Sequence, residues 1–526
     1  MQPWIDGWFP RLLLLLVGLN LHLAAGAQNL NPVQEDFRLR VDSFALKGVS
    51  RQHPQAPDLE EIKRQLALER ARFPDTMTVD QLHQVADALT LFLRGRGFVF
   101  HTVYLPPQRV EGGVVEMRVQ EGTLGGVQVI NQTPWPDQRF SKPFLPLLGD
   151  VLYGPQVEER VQALKAQGGF RVFAFYSRGS KSGEAILNLR VDPTDKRAWG
   201  LRADNYGSPS SGEQRVVLQY TEYQLTGHHD RLSLAVLRTV DDVANTYGSL
   251  TYQLPFGGLD YIWDLSASNN QFEVGDRFAA LGLKGDATTL RTGFTWVNRH
   301  HPDRRSSWRV GVYEKSNNLE ADDISVSDET SRALTLQWSK NLRSASGGSV
   351  LNTLFELGRG EYEIEGLSDE EFTKMDLGLL YVQGMGQKRW RSLLQFSARG
   401  QYSDTSLPSI EGFSLTGSYG VRGYGPGLFN ADSAGLLALE WRLPNLIGGE
   451  RLRLEPFLFG EYANGRKELI SGGKQDADFS GVGLGLNLFW GRRFSAQLVA
   501  AKSSSGTIDG VKVADDDQIL FEIRLQ

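Results

Sequence analysis

The sequence contains no cysteine. That excludes a disulfide scaffold, a cysteine nucleophile and a thiolate metal site, and it suits a compartment where stray thiols would oxidise. A strong excess of one charge is also missing. The 56 basic and 62 acidic side chains leave a net charge of −6 over 526 residues, which argues against a nucleic-acid partner, because such proteins carry a basic footprint. Long apolar runs are absent apart from Leu12 to Ala25. That stretch is short for a spanning helix, which needs about 20 residues. With Arg11 before it and Ala25-Gly26-Ala27 after it, it reads as a secretory signal peptide over residues 1–27, cleaved before Gln28. The mature chain is therefore expected to be either soluble outside the cytoplasm or a β-barrel. No P-loop, HExxH or G-x-S-x-G pattern occurs, so neither an enzyme nor a cofactor is expected. What is plentiful is glycine, 57 residues, and aromatic side chains, 10%. That pair favours strands and turns.

Two styles divide the mature chain. Residues 28–195 mix helical and strand patterns in two similar units, preceded by a short segment, 28–36. In the first unit, 37–122, a strand is predicted over Phe37 to Leu46. Asp58 with Glu61, and Thr78 with Gln81, are placed as helix N-caps and their N3 partners. Val79, Leu82, Val85, Leu89 and Phe92 keep helical spacing, Gly95-Arg96-Gly97 stops that helix, and strands follow at Phe98 to Tyr104 and Val114 to Val119. In the second unit, 123–195, a strand spans Leu124 to Asn131. Pro143 and Pro146 break the first helical region and Pro155 starts a helix that ends at Gly168-Gly169. Strands at Phe170 to Ser177 and Ala185 to Val191 complete the unit.

Residues 196–526 instead alternate apolar and polar at period two. Val216-Leu218-Tyr220, Leu334-Leu336-Trp338 and Val482-Leu484-Leu486-Leu488 are examples. About sixteen such segments give about 21 residues per strand and connection, of which a transmembrane strand uses about 9–11. Arg277 to Val297 fits either one strand or two. Connections at Leu254 to Gly258 and Leu443 to Asn445 are tight, whereas 317–329 and 403–432 are long and polar. Short turns on one side and long loops on the other mark an outer-membrane barrel. A polar lumen reconciles that reading with a mean hydropathy of −0.31. The fold class is thus a sixteen-stranded antiparallel transmembrane β-barrel over 196–526, preceded by two α+β domains.

Inside the longest loop lies Gly420-Val421-Arg422-Gly423-Tyr424. Val421 to Tyr424 resemble the VRGY signature of the superfamily containing the outer-membrane assembly core subunit and the two-partner secretion transporters (the TpsB, or hemolysin secretion/activation, family). Ala203-Asp204-Asn205-Tyr206-Gly207-Ser208 resembles the opening of that family's barrel. Phe98 to Gln108 resembles the close of its first POTRA domain, and Val119 to Gly122 its domain junction. The resemblance covers essentially the whole mature chain. It implies an outer-membrane transporter with periplasmic POTRA-like domains that bind an unfolded, TpsA-like exoprotein. It also implies contact with outer-membrane lipid and lipopolysaccharide, and with the barrel assembly machinery during biogenesis. An assembly factor for membrane proteins and a passive porin remain the alternatives.

The family pairs its motif arginine with an acidic residue of the thirteenth strand in F-x-D-x-G. Here Phe459-Gly460-Glu461-Tyr462-Ala463 stands in that place, with Glu461 for Asp and Ala463 for Gly. An arginine inside a lumen needs a carboxylate, because a buried unpaired guanidinium is costly. An Arg422–Glu461 pair holding the loop in the lumen is therefore predicted. The family's plug helix looks absent, since nine residues form only about 13 Å of helix. Strand addition to an exposed sheet edge would bind many client sequences, and the balanced charge of residues 28–195 predicts little steering. Ser471 to Lys474 matches S-x-x-K without the helix that chemistry needs. The adjacent pairs His228-His229 and His300-His301 read as loop residues whose side chains point apart, so no metal site is expected. Glu361, Glu363 and Glu365 share one face, at the lumen or a loop mouth, where a cation could sit; Asp515 to Asp517 read as a loop charge run. The final Arg524-Leu525-Gln526 lacks the terminal aromatic that assembly machinery reads in many barrels.

Overall fold

The computed structural model describes residues 37–49, 53–301, 303–322, 324–344, 347–365, 369–386, 391–444, 447–449, 451–469 and 472–526. The expected signal peptide, the short segment 28–36 on which the expectation about the plug helix falls, and Ser471 lie outside the described residues. The chain forms two compact units, divided so that Gly97–Phe100 belong with the second.

The first unit contains β1 (Arg38–Arg40), β2 (Ser43–Lys47), α1 (Leu59–Arg70), β3 (Thr76–Thr78), α2 (Val79–Gly95), β4 (Thr102–Tyr104) and β5 (Val114–Gln120). The single strand expected over 37–46 is two. β1 pairs with β3, whereas β2 joins β5 in parallel, and the chain changes sheets at Val41 and Asp42. The expected strand at 98–104 shortens to β4. Asp58 accepts the Glu61 N–H, and Thr78 and Gln81 form a reciprocal capping box, which satisfies amides the helix cannot. The α2 residues Leu82, Val85 and Leu89 bury their apolar face against Met77, Val103 and Met117.

The second unit opens with another α+β domain: β6 (Thr123–Asn131), α3 (Asp137–Ser141), a 3₁₀ turn carrying both prolines, α4 (Gly154–Lys165), β7 (Phe170–Arg178) and β8 (Glu184–Pro193). Its sheet runs β6-β8-β7, so among the described residues β7 pairs with β8 alone. Phe140, Phe144, Leu164, Val172, Leu187 and Leu189 form its core.

Sixteen long strands then close an antiparallel barrel. They are β9 (Arg197–Asp204), β10 (Arg215–Tyr223), β11 (Arg231–Thr239), β12 (Asn245–Phe256), β13 (Tyr261–Glu273), β14 (Leu283–His301), β15 (Arg304–Ala321), β16 (Ile324–Arg343), β17 (Ser349–Ile364), β18 (Glu370–Met385) and β19 (Ser392–Ser403). After the lumen loop, which carries the short β20 (Phe413–Ser414) and β21 (Asn430–Ala431), come β22 (Ser433–Arg442), the short β23 (Ile447–Gly448), β24 (Leu452–Glu468), β25 (Lys474–Trp490), β26 (Phe494–Ile508), the short β27 (Val511–Lys512) and β28 (Gln518–Leu525). The ambiguous stretch near Arg277 is one strand, β14, entered from a 3₁₀ turn. Phe256, Tyr261, Trp296, Trp308, Trp338 and Phe355 stand opposite one another in register across β12 to β17. They form part of the aromatic girdle that settles a barrel at the bilayer interface.

Three further expectations are corrected. The polar stretch 317–329 is not a loop, because β15 and β16 stay paired from Asn317↔Glu329 to Ala321↔Ile324. Strands of 18 and 20 residues exceed what the bilayer needs, so the excess continues as a paired polar ribbon. His300 and His301 end strand β14 and are not in a loop. Glu361 registers with Arg332, on the face of the exposed Leu334 and Leu336. Glu361 and its period-two partners therefore face outward and do not line the lumen.

The barrel closes at a short seam where Leu201–Asp204 of β9 register with Glu522–Leu525 of β28. Asn205 extends it with a side chain acting as backbone. Its amide donates to the Ile519 carbonyl at 2.8 Å, and its carbonyl oxygen accepts the Phe521 N–H at 2.8 Å. The seam edge is thereby covered where the strand itself has ended.

Candidate functional site

The loop between β19 and β22 folds back into the lumen, and its motif has two chemically distinct sides. Val421 and Tyr424 are buried with Leu415, Phe429, Ala463 and Phe479 in a small apolar cluster. The Tyr424 and Phe479 rings meet edge-on at 5.0 Å. Ala463, standing where glycine is usual, has its methyl group in that cluster. Gly423 passes so close to β26 that a Cβ would lie 2.6 Å from the backbone of Lys502 and Ser503, so no larger residue fits.

Arg422 points to the other side. Its Nε donates to Glu461 Oε1 at 2.6 Å, and its backbone N–H donates to Glu461 Oε2 at 2.8 Å. The guanidinium lies 3.5 Å over the centroid of the Phe459 ring, a cation–π contact strengthened by burial. The structure thus brings together Val421, Arg422, Gly423, Tyr424, Phe459 and Glu461. The extra methylene of Glu461 lets one carboxylate serve both the guanidinium and the backbone of the same residue. Sequence reasoning missed Glu440 of β22, whose Oε2 lies 3.5 Å from Arg422 Nη2 and whose other oxygen binds Arg442. Glu440 was missed because nothing local to the strand marks it. The signal that could have found it is its parity: it is a charged residue on the lumen face of a barrel strand.

The two histidine pairs also acquire places. His229, in the β10–β11 turn, accepts from Arg139 Nε of the second α+β domain at 3.1 Å, and Arg139 stacks 4.9 Å over Trp135. His300 lies 3.2 Å from Asp260, which also pairs with Arg160 of α4. Both periplasmic turns are thereby fastened to that domain. Burial, then the Arg139 charge, hold His229 down to about 3 from 6.5, with Asp230 opposing and His228 adding to the fall. The undocked chain binds this proton more readily, so the stability present above about pH 6.5 is lost as pH falls toward 3. At about pH 4.5 the loss reaches about 3 kcal/mol. Limited proteolysis is therefore expected to free this domain in acid and not at neutral pH. His229→Gln, which still accepts from Arg139 but cannot titrate, should shrink the difference, leaving the part due to His300; equal cleavage of the parent at both pH values refutes the account.

A closed sixteen-stranded barrel, periplasmic α+β domains and an arginine-latched loop in the lumen define a polypeptide-handling outer-membrane protein. The sequence matches the family "Haemolysin secretion/activation protein ShlB/FhaC/HecB" over residues 183–488, and "POTRA domain, ShlB-type" over residues 50–122. The heme/hemopexin transporter protein HuxB of Haemophilus influenzae is 21% identical over 448 residues, covering 82% of this chain and 79% of that protein. The outer membrane transporter CdiB of Dickeya dadantii is 22% identical over 414 residues, covering 75% and 71%. The solved structure of CdiB from Escherichia coli superposes with a TM-score of 0.74 at 17% identity, covering 95% of this chain and 92% of that one. The chain belongs to the haemolysin secretion/activation family of two-partner secretion transporters, with its barrel in the outer membrane and its POTRA domains in the periplasm.

Proposed function

We propose that this transporter takes one large exoprotein, of hemolysin or adhesin type, as an extended chain and passes it through the lumen after the loop tip has moved aside. The latch carries the reading. A loop seated on an apolar cluster, and held by one arginine on two carboxylates, is a removable closure. A passive porin has no need of one; an assembly factor shares the loop motif, and the match to the haemolysin secretion/activation family favours transport over that alternative. Phe173 and Phe175, about half exposed on the sheet-edge strand β7, support capture by strand addition. We assign no chemical step to the chain, so the direction of transport comes from client folding outside. The outward Glu314–Arg332 and Arg359–Glu371 pairs offer contacts for outer-leaflet lipid and lipopolysaccharide, and the alternating β28 is the segment offered to the barrel assembly machinery.

Deleting the gene and comparing secreted, surface and outer-membrane proteomes tests the function. Loss of one large exoprotein, restored by the intact gene, is expected. Depletion of several barrels points to an assembly factor, and no change in any fraction leaves a porin.

A further inference from the structure

The base of the lumen loop is held by different chemistry from its tip. Glu411 has a fully buried side chain. Its Oε2 accepts from Lys374 Nζ of β18 at 2.7 Å and lies 2.9 Å from Lys315 Nζ of β15, and its Oε1 accepts from Ser331 Oγ of β16 at 3.1 Å. One loop carboxylate is thus gripped by three strands of the wall. Beside it, Ser409 Oγ donates to Glu329 Oε2 of β16 at 2.6 Å. The two limbs are tied together as well. Gln401 Nε2 donates to the carbonyls of Glu411 and Asp432 at 3.0 and 3.1 Å, and β20 pairs with β21. Asp432 in turn accepts the N–H groups of Leu407 and Glu468 at 3.2 and 2.7 Å. None of these contacts uses a residue between Leu415 and Phe429, the span that holds the motif.

The two ends differ in what their departure leaves behind. If Arg422 leaves, Glu440 keeps Arg442, and Glu461 is left without its guanidinium. If Glu411 leaves, Lys315 and Lys374, with side chains 18% and 10% exposed, lose the carboxylate between them, and among the described residues Lys374 keeps only Asp376 at 3.6 Å. The base has more holds than the tip: Glu411 is fastened to β15, β16 and β18 and Gln401 ties the two limbs, whereas the polar hold of the tip is one arginine on two carboxylates. We infer that Glu411 is a fixed anchor and a positioning residue, so that transport moves only the tip, Leu415 to Phe429, while the base stays on β15, β16 and β18. This rests on the reading above that the tip moves to let a client through.

The absence of cysteine makes the test clean. In Ser409→Cys with Glu329→Cys, a short bis-methanethiosulfonate cross-linker staples the base to β16 and is removed by reductant. Export by the cross-linked protein is expected to stay within about twofold of the reduced protein, a difference of about 0.4 kcal/mol. Export abolished by the cross-link and restored by reductant overturns the anchor. Glu411→Gln, checked for a folded barrel by heat-modifiable gel migration, provides the second arm. It is expected to raise resting conductance severalfold although Arg422 is intact, and to add to the leak of Glu461→Ala; parental conductance in that variant also overturns the anchor. Arg422→Ala measured alongside tests the transport reading separately, since its silence removes the moving tip and leaves the anchor contacts untouched.

Discussion

Arg422→Ala is expected to raise the resting conductance of the purified pore in planar bilayers severalfold and to reduce exoprotein export by about tenfold or more. The change removes the guanidinium from Glu461, whose side chain is only 4% exposed. Removing one partner of a buried pair costs about 3–5 kcal/mol, because the other charge is left uncompensated. At about 1.4 kcal/mol per tenfold, that shifts a seated loop toward release by two orders of magnitude or more. The apolar half of the motif remains, so the barrel itself should fold and insert. Glu461→Ala should match the arginine variant. Glu461→Asp should fall between, because a side chain one methylene shorter cannot serve both the backbone N–H and Nε of Arg422. Conductance and export at parental levels in both alanine variants would show that the pair does not hold the loop.

Replacing Phe173 and Phe175 together by Asp is expected to abolish exoprotein export while leaving pore conductance unchanged. Both rings are about half exposed and lie on β7, away from the core-facing Phe170 and Val172, so the domain keeps its packing. Burying two such rings against a client strand contributes roughly 2–4 kcal/mol. Their loss, with two carboxylates added, weakens capture by at least about a hundredfold. A pull-down with an N-terminal exoprotein fragment reads binding directly. Undiminished binding by the double variant places capture elsewhere on the periplasmic domains. Reduced conductance would mean that the change had reached the barrel.

Much of this architecture was legible in the residues because its signals are local. Period-two alternation marks a strand whose two faces meet lipid and water. Asp58, Thr78 and Pro155 mark helix starts because the unpaired amides there need a specific neighbour. The expectations that needed correction were those in which pairing across strands overrode local polarity. Residues 317–329 look like a loop because polar residues dominate, yet β15 and β16 stay paired there to Ala321↔Ile324, with one bulge. Glu361, Glu363 and Glu365 share a face in the sequence, but only the register with Arg332 shows that the face points outward. His229 and His300 look like loop residues, and their roles exist only because a separate domain docks on those turns.

Residue patterns were enough to place two α+β units, a barrel of about sixteen strands, the motif Val421 to Tyr424 and the carboxylate that answers Arg422. Those follow from spacing and from the cost of an unpaired charge. Tertiary structure alone decided that Asn205 covers the seam, that Glu440 shares Arg422, and that Glu411 meets Lys315 and Lys374. These groups come from strands far apart in the chain. Barrel closure and loop insertion bring them within hydrogen-bond distance, and no local pattern records which lumen-facing charges a returning loop will meet.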